Sequence, residues 1–156
     1  MPEVEMLMLA NHAEVVNGLL YVHGGGWSHH WRGETPPGQP RPPSQIAIAA
    51  TFLLDPAEAA PSQPFAIRIR DESGVEILRA DGSFEVAATG STSGPERRRL
   101  AFAANVGVVF PHEGRYTVSA EAMGHPALTA ELWVHDGGPT GVPAAPEPPH
   151  TTGGYI

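Results

Sequence analysis

The sequence contains no cysteine, and this absence excludes several kinds of chemistry. Disulfides, thiol nucleophiles and cysteine-ligated zinc all require that residue. Long hydrophobic runs are also lacking, because no apolar stretch approaches the roughly 18 residues that a membrane-spanning helix needs. Glu3 and Glu5 lie where a secretion signal would carry positive charge, so we expect no export signal and a cytoplasmic protein.

Positive charge is scarce as well. Nine lysine and arginine side chains stand against 17 acidic ones, which gives a net charge of -8. A negatively charged protein is repelled by nucleic acids and by anionic membranes, so the composition predicts neither as a partner. The one basic cluster, Arg97-Arg98-Arg99, is either the solvated entrance to a strand or a small phosphate contact.

Glycine and proline are abundant, with 18 and 17 residues in a chain of 156. Such a composition favours frequent turns over long helices, and the length is that of one domain. We predict an all-β antiparallel sandwich of about eight strands with immunoglobulin-like, Greek-key topology. The domain spans residues 1–136, and residues 137–156 form a flexible tail rich in proline and glycine.

The stretch Asn17 to Trp27 reads Asn-Gly-Leu-Leu-Tyr-Val-His-Gly-Gly-Gly-Trp and predicts a hairpin. Asn17 and Gly18 supply the two positive φ angles of a tight turn. We therefore expect Val4–Ala10, with Val4, Met6, Met8 and Ala10 on one face, to pair antiparallel with Leu19–His23.

Three consecutive glycines, Gly24, Gly25 and Gly26, follow that strand. They indicate a bulge, a sharp corner or the close approach of another backbone, with Trp27 covering the edge of the core. A phosphate cradle would need a helix N-terminus and a nearby lysine, which the following residues do not offer.

Turn signals divide the middle of the chain into a predicted meander. Asp71–Gly74 and Asp81-Gly82 are both typical of turns, so we predict separate strands over Val75–Arg79 and Ser83–Ala88. The acidic residues indicate turn chemistry or a calcium site, although the alternating ligands of a dedicated calcium loop are absent. Gly107 interrupts an alternating run and predicts a bulge.

Near the end of the domain, Gly114 and Tyr116 have the spacing of a tyrosine corner, in which the phenol hydrogen-bonds back to the backbone. We expect the strand from Tyr116 to pair with Leu128–His135, and Trp133 to lie in the core.

Two segments have no core-forming pattern. Arg32–Pro43 contains five prolines and is either a crossover loop or a ligand for a proline-binding partner. The tail ends in Tyr155-Ile156, which is either a frayed terminus or a short docking peptide on a tether.

Eight histidines are the compositional feature most able to carry chemistry. His12, His23, His29 and His30 lie near the first hairpin, and three imidazoles converging there would bind a divalent ion. The alternative is that these histidines lie on the surface or are hydrogen-bonded, since sequence does not show convergence.

The opening of the chain resembles an uncharacterised family of small bacterial and phage proteins, a domain of unknown function. The motif residues are Leu9-Ala10-Asn11-His12-Ala13 and Gly18 to Trp27. Gly114 to Tyr116 and the closing hairpin are also similar, so the likeness spans roughly residues 6 to 135. The resemblance implies a compact β-sandwich and brings no catalytic activity with it.

Three functional hypotheses follow from these patterns. The first is a non-enzymatic module that binds a protein partner or assembles as a homo-oligomer, using the corner from Gly24 to Trp31 or the tail. The second is a histidine-based metal-binding protein or a small metal-dependent hydrolase. The third is a carbohydrate-binding module, with Trp27 or Trp31 as a stacking platform. We assign no catalytic residue and no cofactor other than that divalent ion.

Overall fold

The computed structural model describes residues 3–54, 62–85, 97–122 and 127–137, and within these ranges every regular element is a β-strand. The prediction of an all-β protein is therefore confirmed. The strands are β1 Glu3–Val16, β2 Leu19–Gly25, β3 His29–Arg32, β4 Ser44–Leu54, β5 Ser62–Asp71, β6 Glu76–Glu85, β7 Arg98–Val108, β8 Gly114–Ala122 and β9 Leu128–Asp136. In the same ranges no helix is long and apolar enough to cross a membrane.

The strands form two sheets that pack face to face. Sheet A has the order β2-β1-β4-β7, and sheet B has the order β3-β9-β8-β5-β6. Neighbouring strands run antiparallel except for β3 and β9, which run parallel. Alternating inward-facing residues of both sheets build the core, as expected of a sandwich. Its buried clusters contain Leu9, Ile46, Ile48, Ala50, Phe52, Ile67, Ile69, Val108, Phe110, Tyr116, Val118, Ala120, Ala122, Leu132 and Val134.

The first hairpin confirms the predicted turn and the antiparallel pairing of the two strands, but not the residues of the first strand that take part. Asn17 and Gly18 have φ angles of 51° and 75°, as the sequence indicated. However, residues 3–10 of β1 pair with β4, and the part of β1 that pairs with β2 is Ala10–Val16. The prediction was wrong because β1 is twice as long as expected and pairs with two strands, β4 along its first half and β2 along its second half.

A register shift between Val4 and Met6 also changes the predicted face assignment of β1. Val4 packs against the core between the sheets, whereas Met6 packs against a cluster of alanines on the other side of sheet A. A shift of one residue moves every following side chain to the opposite face. The bulged residue is Glu5, and it accepts hydrogen bonds from Thr51 and Arg99.

The β1–β2 hairpin covers an alanine-lined area on the outer face of sheet A. The fully buried alanines are joined by partly buried Leu20 and Val22 of β2. Asn105 on β7 fixes the hairpin there, because its side chain accepts a hydrogen bond from Ala13 N (3.1 Å) and donates one to Ala13 O (2.7 Å). The buried alanines are Ala10, Ala13, Ala47 and Ala49.

Two predicted irregularities are absent from the described strands. The Asp81-Gly82 turn prediction is wrong, because β6 runs through these residues and pairs with β5 from Ser83 to Leu78. Gly82 is needed for space and not for a turn, since a Cβ there would lie 2.5 Å from the Phe65 ring. The bulge prediction at Gly107 is also wrong, because β7 keeps an unbroken register with β4.

Other local predictions are confirmed. The strand β8 pairs antiparallel with β9, as expected. Asp71–Gly74 forms the turn between β5 and β6, in which the Asp71 carboxylate accepts hydrogen bonds from the amides of Ser73 and Val75, both at 2.9 Å. Most of the predicted tail, residues 138–156, lies outside the described residues.

The tyrosine corner is present. Tyr116 is fully buried, and its hydroxyl donates a hydrogen bond to the carbonyl of His112 at 2.7 Å. The ring packs edge-on against Phe110, with centroids 5.0 Å apart. The phenol therefore joins the start of β8 to the loop before it while the ring fills the core.

An ion pair between buried Arg32 and half-exposed Asp136 attaches β3 to the rest of sheet B. Arg32 is 6% exposed and binds Asp136 through two hydrogen bonds, Nε to Oδ1 at 2.5 Å and Nη2 to Oδ2 at 3.1 Å. Its Nη1 donates a third bond to the carbonyl of Phe110 at 2.6 Å. The prediction that Arg32 lies in the proline-rich loop is wrong. Arg32 is the last residue of β3, and the loop begins after it.

We expect Tyr116→Phe to destabilise the protein by about 0.5–1.5 kcal/mol, because the part-buried hydrogen bond to the His112 carbonyl is lost. Tyr116→Ala should cost about 3–5 kcal/mol, since a cavity is added to the lost bond. Urea unfolding followed by circular dichroism measures both values. Tyr21→Phe, at an exposed tyrosine, is the control; equal effects at positions 21 and 116 would contradict a structural role for the corner.

Acid should weaken the attachment of β3. The hydrogen bond from Arg32 lowers the pKa of Asp136, so folding favours the charged carboxylate. This contribution is complete above the pKa of the unfolded chain and is lost as the pH falls through the lower pKa of the folded state. Thermal melts below about pH 5 should therefore show a shallower pH dependence for Asp136→Asn than for the wild type. Identical slopes would contradict the assignment.

Candidate binding surface

Four aromatic side chains lie together on the outer face of sheet B. They come from β3, the edge strand, and from its neighbour β9, and we name them the aromatic patch: His29, Trp31, Trp133 and His135. The parallel register places His29 beside Trp133 and Trp31 beside His135. Because successive side chains of a strand point to opposite faces, the four residues share one face.

Trp133 lies on this surface and not in the core, so that prediction was wrong. Its neighbours in β9, Leu132 and Val134, are buried, while Trp133 is 37% exposed. Trp31 is 39% exposed. Alternation within β9 sends the even-numbered residues into the core, and Trp133 consequently faces outward.

Three rings of the patch are in mutual contact. His29 Nδ1 and His135 Nε2 share a hydrogen bond of 2.9 Å, and the two imidazole planes differ by only 14°. The indole of Trp31 lies with its centroid 5.2 Å from that of His135. One of the two bonded nitrogens must donate and the other accept, so this contact needs a free lone pair on one imidazole.

The backbone below the patch is held in place. Trp133 N donates to Ser28 O at 2.7 Å, immediately before β3, and the Arg32–Asp136 ion pair closes the other end of the parallel pairing. The strand β3, which carries two of the four rings, is therefore attached to β9 at both of its ends.

Charge around the patch differs from that of the whole chain. Arg115 on β8 lies directly beside Trp133 in the register, and its guanidinium is 3.5 Å from the carboxylate of Glu131. Asp136, at the end of β9, is neutralised by Arg32. The patch itself contains imidazole and indole donors and no carboxylate, on a protein whose net charge is -8.

His30 points away from the patch. It is partly buried between Trp27 and Phe110, with centroids 6.0 Å and 5.9 Å away. Burial lowers the pKa of this imidazole, so the ring stays neutral at pH 7. Its position under the sheet edge makes it a packing residue.

The four histidines predicted as metal ligands are divided between the two sheets. His12 and His23 face each other across β1 and β2, with ring centroids 5.9 Å apart. His29 instead pairs with His135, which the sequence analysis did not select. Within the described ranges no three histidine or acidic side chains are grouped so that they could hold a metal ion.

At the triple-glycine corner the side chain of Asn11 lies close to the backbone of Gly24. Gly24 and Gly26 have φ angles of 60° and 85°, and a Cβ on Gly24 would lie 2.4 Å from the side-chain amide of Asn11. The same Asn11 accepts a hydrogen bond from Trp27 Nε1 at 3.1 Å. Trp27 packs against the core, as predicted, so Trp31 is the tryptophan of this segment that faces solvent.

The remaining candidate residues are engaged locally or lie outside the described residues. Arg99 forms two hydrogen bonds with Glu5, and Arg97 pairs with Glu3 at 3.3 Å, which favours the solvated-strand interpretation of the arginine cluster. Tyr155 and Ile156 belong to the part of the chain that is not described.

A shallow cavity of ≈ 200 Å³ lies elsewhere on the outer face of sheet B, over β5 and β6. Its charged side chains form ion pairs: Arg68 is 2.8 Å from Glu121, and Arg79 is 2.6 Å from Asp81. Among the described residues that line it there is no histidine, serine or threonine.

The patch was not predicted from the sequence, because it forms through a parallel pairing of two distant segments. His29 and Trp31 have the spacing of a strand face, and so do Trp133 and His135. That shared alternation was the available signal, but nothing local indicates that the two segments are adjacent.

Comparison with known proteins places the chain in a family without assigning it an activity. No curated protein matches it. A family model described as a family of unknown function (DUF6941) matches residues 5–135, which include the first hairpin, the glycine corner and nearly all of β9. The protein is therefore a member of this family of unknown function.

Proposed function

We propose that the protein is a non-enzymatic binding module that docks a partner protein on the aromatic patch. The observation that carries this proposal is the pair of exposed tryptophans, Trp31 and Trp133, mounted on adjacent strands of a fixed sheet. Tryptophan is enriched among the few interface residues that supply most of the binding energy.

The energetics of the patch support an interface. Large indole surfaces left in water gain free energy when a partner covers them, roughly 25 cal/mol for each Å² of apolar area. The parallel pairing and the Arg32–Asp136 ion pair fix the underlying backbone before binding, so less conformational entropy is lost on association.

The donors around the indoles indicate the chemistry of the partner. Imidazole and indole N–H groups favour a segment that presents an apolar or aromatic side chain next to a hydrogen-bond acceptor, such as a carbonyl or a carboxylate oxygen. The aromatic patch takes the place of the corner from Gly24 to Trp31 that was predicted from the sequence. Trp27 in that corner packs against the core, and its glycines are required by the backbone geometry. A cytoplasmic location and immunoglobulin-like topology stay predictions.

The test is affinity capture with the immobilised full chain, using the wild type, Trp31→Ala/Trp133→Ala and the control Val75→Ala, at an exposed position in the turn between β5 and β6. A protein retained by the wild type and the control, but lost with the double variant, is then purified and titrated by calorimetry. We expect the double variant to weaken binding by at least about 2 kcal/mol, or roughly 30-fold. Equal affinity of all three chains would contradict the assignment.

A carbohydrate is the second candidate ligand, and the exposure of Trp31 favours it. A flat indole face stacks on the apolar face of a sugar ring. Affinity electrophoresis in gels containing soluble polysaccharides, with Trp31→Ala as the variant and Val75→Ala as the control, tests this idea. Retardation of the wild type and of Val75→Ala, but not of Trp31→Ala, is the expected result for a sugar-binding module. Unchanged mobility in every gel contradicts it.

A further inference from the structure

The edge strand β2 of sheet A is unusually open to pairing. Among the described residues, four of the nine exposed large hydrophobic side chains lie on the β1–β2 hairpin, and Leu19 and Tyr21 are 61% and 45% exposed. The other two are Val15 and Val16. A free strand edge with apolar side chains is a template for the addition of another strand.

The other three edges carry features that block such pairing. The strand β3 is only 4 residues long, and β7 begins with Arg98 and Arg99. The strand β6 carries four charged residues, Glu76, Arg79, Asp81 and Glu85. In contrast, β2 contains no lysine, arginine, aspartate, glutamate or proline, the residues by which natural edge strands prevent association.

The turn geometry identifies which backbone groups of β2 point outward. In a hairpin with a two-residue turn, the flanking residues Val16 and Leu19 exchange backbone hydrogen bonds, and alternate pairs do so thereafter. The N–H and C=O groups of Leu20 and Val22 therefore face away from β1. Gly24, with a φ of 60°, departs from strand geometry and ends this row.

We propose that β2 pairs antiparallel with β2 of a second copy of the chain. Two consecutive outward-facing residues fix the register: Leu20 of each copy bonds Val22 of the other, and Tyr21 lies directly opposite Tyr21. The two sheets A then join into one, in the order β7-β4-β1-β2-β2-β1-β4-β7. This inference goes beyond the proposed function and leaves both aromatic patches, on sheet B, open to partners.

A second copy fits this edge for an electrostatic reason. A two-fold contact places each residue of the strand near its own counterpart, so a charged strand would repel itself, whereas β2 is neutral. The nearest acidic residue is Glu14, beside Tyr21 on β1. Three strand spacings, about 14 Å, separate Glu14 from its counterpart, which exceeds the Debye length of about 8 Å at physiological salt.

The experiment is sedimentation of the full chain from about 1 to 200 µM, a range that brackets micromolar association. We expect the wild type to form a dimer whose dissociation constant rises at least tenfold in Tyr21→Lys and in Tyr21→Glu, because like charges then lie opposite each other. An equimolar mixture of these two variants should restore the dimer, since Lys and Glu face each other. Circular dichroism of each variant at low concentration checks folding.

Val75→Lys is the matched control, because Val75 is 57% exposed in the turn between β5 and β6 and its substitution introduces the same charge. It should leave the dimer intact. Hydrogen exchange adds a backbone readout: the amides of Leu20 and Val22 should be protected at high concentration and exchange rapidly on dilution. A wild type that is monomeric throughout, a dimer indifferent to Tyr21, or a mixture that fails to associate would each overturn the proposal.

Discussion

The bidentate ion pair between Arg32 and Asp136 is the contact on which the candidate binding surface depends. It fixes β3 in parallel register beside β9, and that register alone brings His29 and Trp31 next to Trp133 and His135. The Arg32 guanidinium also satisfies the carbonyl of Phe110 inside the fold. A buried charge of this kind is tolerated because every part of it has a partner, and it specifies one geometry for the edge of sheet B.

The two sheets present different kinds of surface. Sheet B has an outer face on which aromatic rings at one side give way to paired charges over β5 and β6. Sheet A has its outer face partly covered by its own hairpin, held by Asn105, and presents an uncharged strand edge. A ligand-binding face and a self-association edge on separate sheets would not compete for the same residues.

The expectations based on glycine failed because the partner strand decides what each glycine does. Gly82 and Gly107 suggested a turn and a bulge, yet Gly82 makes room for the Phe65 ring and Gly107 keeps a regular register. A glycine in a strand indicates a position without room or need for a side chain, but the structure of the partner strand determines why. Trp133 was assigned to the core by its size, whereas the alternation of Leu132 and Val134 decides its direction.

The sequence by itself determined the all-β class, the Asn17-Gly18 turn and the tyrosine corner, because each depends on periodicity or on residues a few positions apart. It also determined the hairpin of β8 and β9. Only the tertiary structure decided that β1 serves two neighbours, that β3 joins β9 in parallel and that Arg32 is buried. The paired residues of β3 and β9 are 104 positions apart, and those of β1 and β4 are 37 to 50 positions apart. A local sequence pattern does not indicate which distant segment will be the neighbour.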